Sequence, residues 1–283
     1  MDTSRFLIIG ANGQLGRALQ AKYPKAIAAD RTVLNITNAE SVDTFDWSNI
    51  DVILNAAAYN KVDIAETPEG RRDAWAANAQ APAHLARIAT AKGLTLVHVS
   101  TDYVYDGTQQ DAHREDAPLA PLSAYASSKA AGDIAAQVTP KHYVLRTSWV
   151  IGDGPNFVRT MIGLAQKDIS PTVVADQVGR LTFTDTLVDA IDLLLTKKAA
   201  SGVYNVSNGG EAVSWADVTR AIFKALGRDD LSVTDTTTEA YFASKPGVAP
   251  RPLNSVFDLS KITAAGLTPR DWHEALIDYV KQQ

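Results

Sequence analysis

The chain has 283 residues, 46% hydrophobic and 21% charged, the composition of a soluble globular protein with one large domain or two modest ones. A formal net charge of −5 argues against a broad basic face for nucleic acid but leaves room for a local basic pocket. There is no cysteine, which excludes disulfides and thiolate metal sites, and no apolar run is long enough for a membrane span or signal core, so a cytoplasmic, membrane-free protein is expected.

Residues 5–10, RFLIIG, are a short β-rich apolar run, and 13–23, GQLGRALQAKY, have helical spacing. A weak strand follows at 26–30, then a capped helix at 38–45 and a strand at 51–57. The Ala-rich stretch 69–92 predicts one long helix closed by Gly93. A strand at 94–100, a helix at 123–138 and a strand at 142–148 continue the alternation. Such alternation predicts an α/β fold: a doubly wound parallel sheet of Rossmann type with helices on both faces and ligands at the carboxyl edge of its strands.

The second half is less regular. Residues 171–195 predict a short strand, a loop and a helix, 202–207 a strand, and 214–227 an amphipathic helix closed by a glycine. The proline-bearing stretch 236–260 is loop-rich. The expectation is a dinucleotide-binding domain over 1–150 with a return segment at about 178–206. A smaller interleaved C-terminal lobe for the substrate takes 151–177 and 207–283.

Gly10, Gly13 and Gly16 follow the first strand and open the first helix, spaced G-x-x-G-x-x-G. Gly10 permits the turn, Gly13 lets the backbone approach a pyrophosphate, and Gly16 lets the helix pack close. The free N–H groups at the helix start then favour the anion. Asp30, at the end of the second strand, suits the adenosine ribose hydroxyls, whereas Arg31 suits a 2′-phosphate, so NAD and NADP both remain open.

Tyr125 and Lys129 stand four apart on one helix face. An ammonium near a phenol favours the phenolate, and moving a tyrosine from about 10 to near 7 takes roughly 4 kcal/mol. The strand before this helix ends in Ser100, Thr101, Asp102 and Tyr103. Unpaired buried polar groups cost free energy, so this cluster at the expected cofactor edge points to a substrate carbonyl and a nicotinamide. The five histidines, His98 among them, have no metal-ligand spacing, and no metal is expected.

The glycine loop, NAAAYNKVDIAE (55–66), STDYVYDG (100–107), YASSK (125–129) and RTSWVIG (146–152) occur in the order found in extended short-chain dehydrogenases/reductases, and the chain resembles that family. The likeness is closest to its nucleotide-sugar ketoreductases. NFVRTMIGLA (156–165), ADQVGRLT (175–182) and RPLNS (251–255) extend it nearly end to end. The resemblance implies NADPH- or NADH-dependent reduction of a dTDP-sugar, dTDP-4-dehydro-L-rhamnose, by a monomer or homodimer. It places Gly10, Gly13, Gln14 and Leu15 at the cofactor pyrophosphate, Asn35 and Ile36 by the adenine, and Ala57, Ala58 and Asn60 along the cofactor path. Tyr125 becomes the proton donor, Lys129 the holder of the nicotinamide ribose, and Thr101 an assistant. Val62, Asp63, Asp102, Tyr103 and Trp149 face the sugar, and Arg251 meets the diphosphate. Asn35, Ile151 and Leu181 depart from the residues usual in the family (Asp, Tyr and Pro). Some relatives pair through acidic residues sharing Mg²⁺; Asp185 matches one such position, and the C-terminal segment carries no convincing partner set. Another nucleotide-sugar ketoreductase, an epimerase or a non-enzymatic NADP-binding regulatory subunit stays open, although an intact Thr101, Tyr125 and Lys129 argues against the last.

Overall fold

The computed structural model describes residues 1–283. The first apolar run forms β1 (Phe6–Ile9), buried at every position, and Gly13 is the N-cap of α1 (Gln14–Lys22). Next come β2 (Ile27–Ala29), α2 (Ala39–Thr44) and β3 (Val52–Asn55). The Asn38 side chain caps α2 by accepting the N–H groups of Glu40 and Ser41, as its sequence predicts.

The single long helix expected over 69–92 is interrupted. α3 (Pro68–Trp75) and α4 (Ala81–Lys92) are joined by a π-helical stretch, Ala76–Gln80. Pro82 has no N–H to return to the Asn78 carbonyl four residues back. That carbonyl instead lies against Gly132, where a Cβ would sit only 1.9 Å from it. Gly93 closes α4 with φ 68°, as expected.

β4 (Thr95–Thr101), α5 (Ala124–Gln137) and β5 (His142–Thr147) follow. Beyond them lie β6 (Val150–Ile151), α6 (Phe157–Ala165), β7 (Thr172–Val174), β8 (Val178–Gly179), β9 (Thr182–Phe183), α7 (Thr184–Thr196) and β10 (Gly202–Asn205). The chain ends with β11 (Val213–Ser214), α8 (Trp215–Ala225), β12 (Thr234–Thr236), α9 (Thr238–Phe242), α10 (Ser260–Ala265) and α11 (Trp272–Lys281).

Six parallel strands form the central sheet in the order β10-β5-β4-β3-β1-β2. The order reverses between β1 and β3, which opens a crevice at their carboxyl ends. Alternating side chains divide the core: Phe6 and Ile8 pack with Leu19 of α1 and Leu187, Ile191 and Leu194 of α7. Leu7 and Ile9 pack on the other face with Val42 of α2 and Leu85 and Ala89 of α4. A third core, with Val158 of α6, Ile222 and Phe223 of α8 and Leu276 of α11, makes the smaller lobe. No helix is long and apolar enough to cross a membrane.

The interleaving differs from the expected boundaries at two points. β8, where the return to the sheet was expected to start, pairs with β11 of the lobe, so the chain re-enters the sheet layers at α7. α10 lies within the 207–283 lobe segment, yet its Ile262 is buried in the sheet core beside α7 and β10.

Candidate active site

The glycine loop runs against the end of β3. Gly10 has φ 80°, and a Cβ there would lie 2.7 Å from the Ala57 nitrogen. Gly16 does not line the cleft; a Cβ on it would meet the Gly10 carbonyl oxygen at 2.1 Å, so its role is the close packing of α1 on the loop. Gly10, Gly13, Asp30, Arg31, Asn35 and Ile36 surround a cavity of about 420 Å³, which Ala57, Ala58 and Asn60 border from the β3 side. The Asp30 carboxylate accepts the N–H and hydroxyl of Thr32 at 2.8 and 2.6 Å, and these bonds hold it below its ordinary range. Arg31 is exposed. The Asn35 side-chain carbonyl accepts from Thr37 at 2.7 Å, so an adenine amine would have to share that oxygen.

A second cavity of about 410 Å³ takes Gly13, Gln14 and Leu15 from the loop and Thr101, Asp102 and Tyr103 from the end of β4. Tyr125 and Lys129 enter from α5, with Val62 and Trp149 at its borders. Gly13, Ala56, Ala58 and Asn60 line both cavities, which therefore form one cleft across the switch point.

Tyr125 is buried, its ring edge-on to Tyr103 with centroids 5.5 Å apart. Burial raises its phenol well above the ordinary value, the Asp102 charge adds to this, and hydrogen bonding with Thr101 partly opposes it. One turn along α5 from Tyr125, the Lys129 ammonium meets the backbone of β4. The Val99 carbonyl lies within its reach, and Nζ donates to that oxygen at 2.6 Å. Burial lowers Lys129 to about 8, with Asp133 partly restoring it. What bears on Tyr125 here favours the neutral phenol, the form that donates a proton.

Several buried hydroxyls have no partner. Ser100, Thr147 and Ser148 line the cleft, are at most 4% exposed, and carry an unbonded side-chain oxygen. Such groups are destabilising until a ligand satisfies them. Ser100 belongs to the polar ending of β4, and the end of β5 supplies the other two.

Trp149 holds φ 50°, a conformation costing on the order of 1–3 kcal/mol at a non-glycine residue. Its ring stacks on Trp215 with centroids 3.7 Å apart, and both line the cleft. Asp63 and Arg251 do not line it. Arg251 binds both Asp63 carboxylate oxygens at 2.9 Å, and the Ala249 N–H donates to the same carboxylate. The opposite charges satisfy each other across 188 residues of chain, and Arg251 borders a separate cavity of about 1120 Å³. Of the residues expected to face the sugar, Val62, Asp102, Tyr103 and Trp149 line the cleft and Asp63 does not. No group of three or more His, Cys, Asp or Glu side chains is arranged to hold a metal.

Comparison with known proteins decides the family. The model of the RmlD substrate binding domain matches residues 4–283. The chain belongs to the RmlD family. The dTDP-4-dehydrorhamnose reductase of Mycolicibacterium smegmatis is 39% identical to it over 285 residues, covering 98% of this chain and 85% of that protein. The crystal structure of the Clostridium acetobutylicum dTDP-4-dehydrorhamnose reductase superposes with a TM-score of 0.90 at 36% identity, covering 98% of both chains. That of the Bacillus anthracis dTDP-4-dehydrorhamnose reductase in complex with NADP gives 0.89 at 33% identity and 99% coverage of both.

Two of the departures from RmlD-family habit lie away from the cleft. Ile151 and Leu181 are buried in the core of the smaller lobe. The RmlD-family cleft also depends on residues that sequence reasoning passed over. Asn78, in the π-helical stretch, accepts the Tyr59 N–H at 2.8 Å and donates to the Tyr59 carbonyl and to Ser128, tying the Ala56–Asn60 turn to α5. Glu66 accepts the Ala124 N–H at 2.7 Å and so fixes the start of the helix that carries Tyr125. Asn78 follows an uninterrupted helical pattern and gives no local signal, whereas the hydroxyl pair in RTS was visible as the counterpart of the one in STD.

Proposed function

We propose that this chain reduces the C4 ketone of dTDP-4-dehydro-L-rhamnose to the alcohol, using NADPH or NADH. The reading rests on one observation above all: a neutral, buried Tyr125 beside Thr101 faces the glycine loop across a single cleft with unpartnered hydroxyls. The fit to a dinucleotide is physical. The first N–H groups of α1 are free for a pyrophosphate, and a side chain at Gly10 would collide with the Ala57 backbone beneath it.

Gly10, Gly13, Gln14 and Leu15 would cradle the pyrophosphate, with Asp30, Arg31, Asn35 and Ile36 at the adenosine end. Ala57, Ala58 and Asn60 would flank the path toward Lys129, which would hold the nicotinamide ribose. The bound nicotinamide supplies the hydride. Tyr125 gives its phenolic proton to the ketone oxygen, and Thr101 hydrogen-bonds at the same oxygen. Val62, Asp102, Tyr103 and Trp149 would surround the sugar. The lobe of 151–183 and 207–283, α10 apart, would cover the nucleotide, with Arg251 leaving Asp63 for the diphosphate.

The test is reduction of dTDP-4-dehydro-L-rhamnose by the purified protein, followed by loss of NADPH absorbance and by NMR of the sugar product. Failure to oxidise NADPH with this or any other dTDP-4-ketosugar would overturn the reading.

A further inference from the structure

The reduction leaves one carboxylate in the cleft without a task beyond facing the sugar. Asp102 is 3% exposed, lines the cleft and has no cation bonded to it. It accepts two hydroxyl protons, from Thr101 Oγ1 to Oδ1 at 2.9 Å and from Ser255 Oγ to Oδ2 at 2.5 Å. Thr101 Oγ1 also accepts the Tyr103 N–H at 3.3 Å, and Thr101 and Tyr125 line the same cleft. A threonine hydroxyl owns a single proton. In this arrangement that proton is aimed at Asp102.

We propose that Asp102 is the proton reservoir of the active site, linked to Tyr125 through the Thr101 hydroxyl. It rests on the ketoreductase reading above. When the ketone carbon gains hydride from the reduced cofactor, its oxygen takes the Tyr125 proton and leaves a phenolate. The Thr101 O–H bond breaks toward that phenolate while protonated Asp102 returns a proton to the Thr101 oxygen. One proton has moved from Asp102 to Tyr125, Thr101 is unchanged, and Asp102 remains ionised until it takes up one proton from solvent. The same Thr101–Asp102 contact serves both directions, so no heavy atom has to move.

The surroundings suit the task. Burial raises the Asp102 carboxyl to about 6, with the bonds from Ser255 and Thr101 pulling the other way, so protonated and ionised forms interconvert near neutrality. The titratable groups around it are Tyr103 on its own turn and Tyr125 and Lys129 on α5. Asp63 and Arg251 also act on Tyr103 but balance each other as an ion pair. Ser255 reaches Asp102 from the C-terminal segment, so the lobe contributes to setting its proton affinity.

Asp102→Asn keeps the shape and an acceptor for Thr101 but carries no transferable proton. In rapid mixing of the variant with saturating NADPH and dTDP-4-dehydro-L-rhamnose, the first turnover bears only the altered sugar contact of residue 102, because Tyr125 already holds its proton, and it is the reference for the later ones. Later turnovers should slow by about 10²-fold, the scale of one positioned acid–base group. The wild-type kcat should fall as pH rises through about 6, and this inflection should vanish in Asp102→Asn. Ser255→Ala removes a donor to the ionised carboxylate and should move the inflection upward. Equal losses in first and later turnovers, a rise in KM alone, or an unchanged inflection in Asp102→Asn would overturn the reservoir. A wild type inactive on every dTDP-4-ketosugar would overturn the ketoreductase reading and the reservoir with it; an active wild type whose Asn variant behaves identically overturns the reservoir alone.

Discussion

Replacing Asp133 by Asn should strike stability and the site together. Asp133 and Arg146 are buried, with side-chain exposures of 0% and 3%. The Arg146 fork donates Nε to one carboxylate oxygen at 2.9 Å and a terminal nitrogen to the other at 3.1 Å. Its remaining nitrogen donates to the Tyr105 hydroxyl at 2.6 Å and the Glu115 carbonyl at 2.9 Å. Burial alone would raise the Asp133 carboxyl, but the hydrogen bonds and charge of Arg146 bring it below its ordinary value. Asparagine keeps the shape, removes the charge and leaves a guanidinium uncompensated, a loss of about 3–5 kcal/mol for a buried pair. At roughly 2–4 °C per kcal/mol, Tm should fall by roughly 6–20 °C, measured by calorimetry. Asp133→Leu with Arg146→Met removes both charges and should recover at least half of that loss. Asp133 also supports the charge of Lys129 one turn away, so the Asn variant should lose the Lys129 proton at lower pH than the wild type. A cost below about 1 kcal/mol, or a double variant no better than the single one, would refute the argument that this pair is a charge-compensated pillar.

Tyr125→Phe keeps the ring and removes the acid, so kcat should fall by about 10²–10⁴-fold while NADPH still binds by fluorescence titration; near-full kcat would remove Tyr125 from the mechanism. Burial lowers His98 to about 3, against about 6.5 in the unfolded chain. The unfolded state therefore binds the extra proton between these values, and stability present above pH 6.5 is lost as pH falls toward 3. His98→Gln should flatten that part of a denaturation profile, and an unaltered slope would assign the titration to another group. Arg31→Ala should weaken NADPH by about 1.5–3 kcal/mol and NADH little in paired calorimetric titrations; equal weakening would show that Arg31 does not meet the 2′-phosphate.

Much of the framework was legible because it rests on local rules. The glycine triplet between a strand and a helix, the Asn38 cap and the Gly93 stop each need only neighbouring residues. The cleft placement of Thr101, Tyr125, Lys129 and Trp149 followed from strand ends sharing one edge. What escaped depends on partners distant in sequence. Asp63 and Arg251 each read as a substrate ligand in the sequence, and their mutual bond appears only in the fold. Lys129 has a phenol four residues away by spacing, and the strand carbonyl of Val99 that its Nζ also bonds is not read from that spacing. The π-helical stretch arises from Pro82 acting against Gly132 on another helix, a combination no periodicity records.

The path of the chain between its two bodies has a mechanical result. It leaves the sheet after β5, returns at α7, departs again after β10, comes back at α10 and ends in the lobe with α11. No single cut divides the sequence into two pieces that each hold a complete core, because Ile262 fills the sheet side while Leu276 fills the other. The two bodies are stitched together like facing pages of a sewn book, with the cleft along the spine. A nick in any exposed loop leaves both cores threaded by the remaining crossings, so melting should occur as one event read identically by tryptophan fluorescence and by far-UV dichroism. The stitching also carries Ser255 of one body onto Asp102 of the other, so a bond across the spine lies inside the cleft itself.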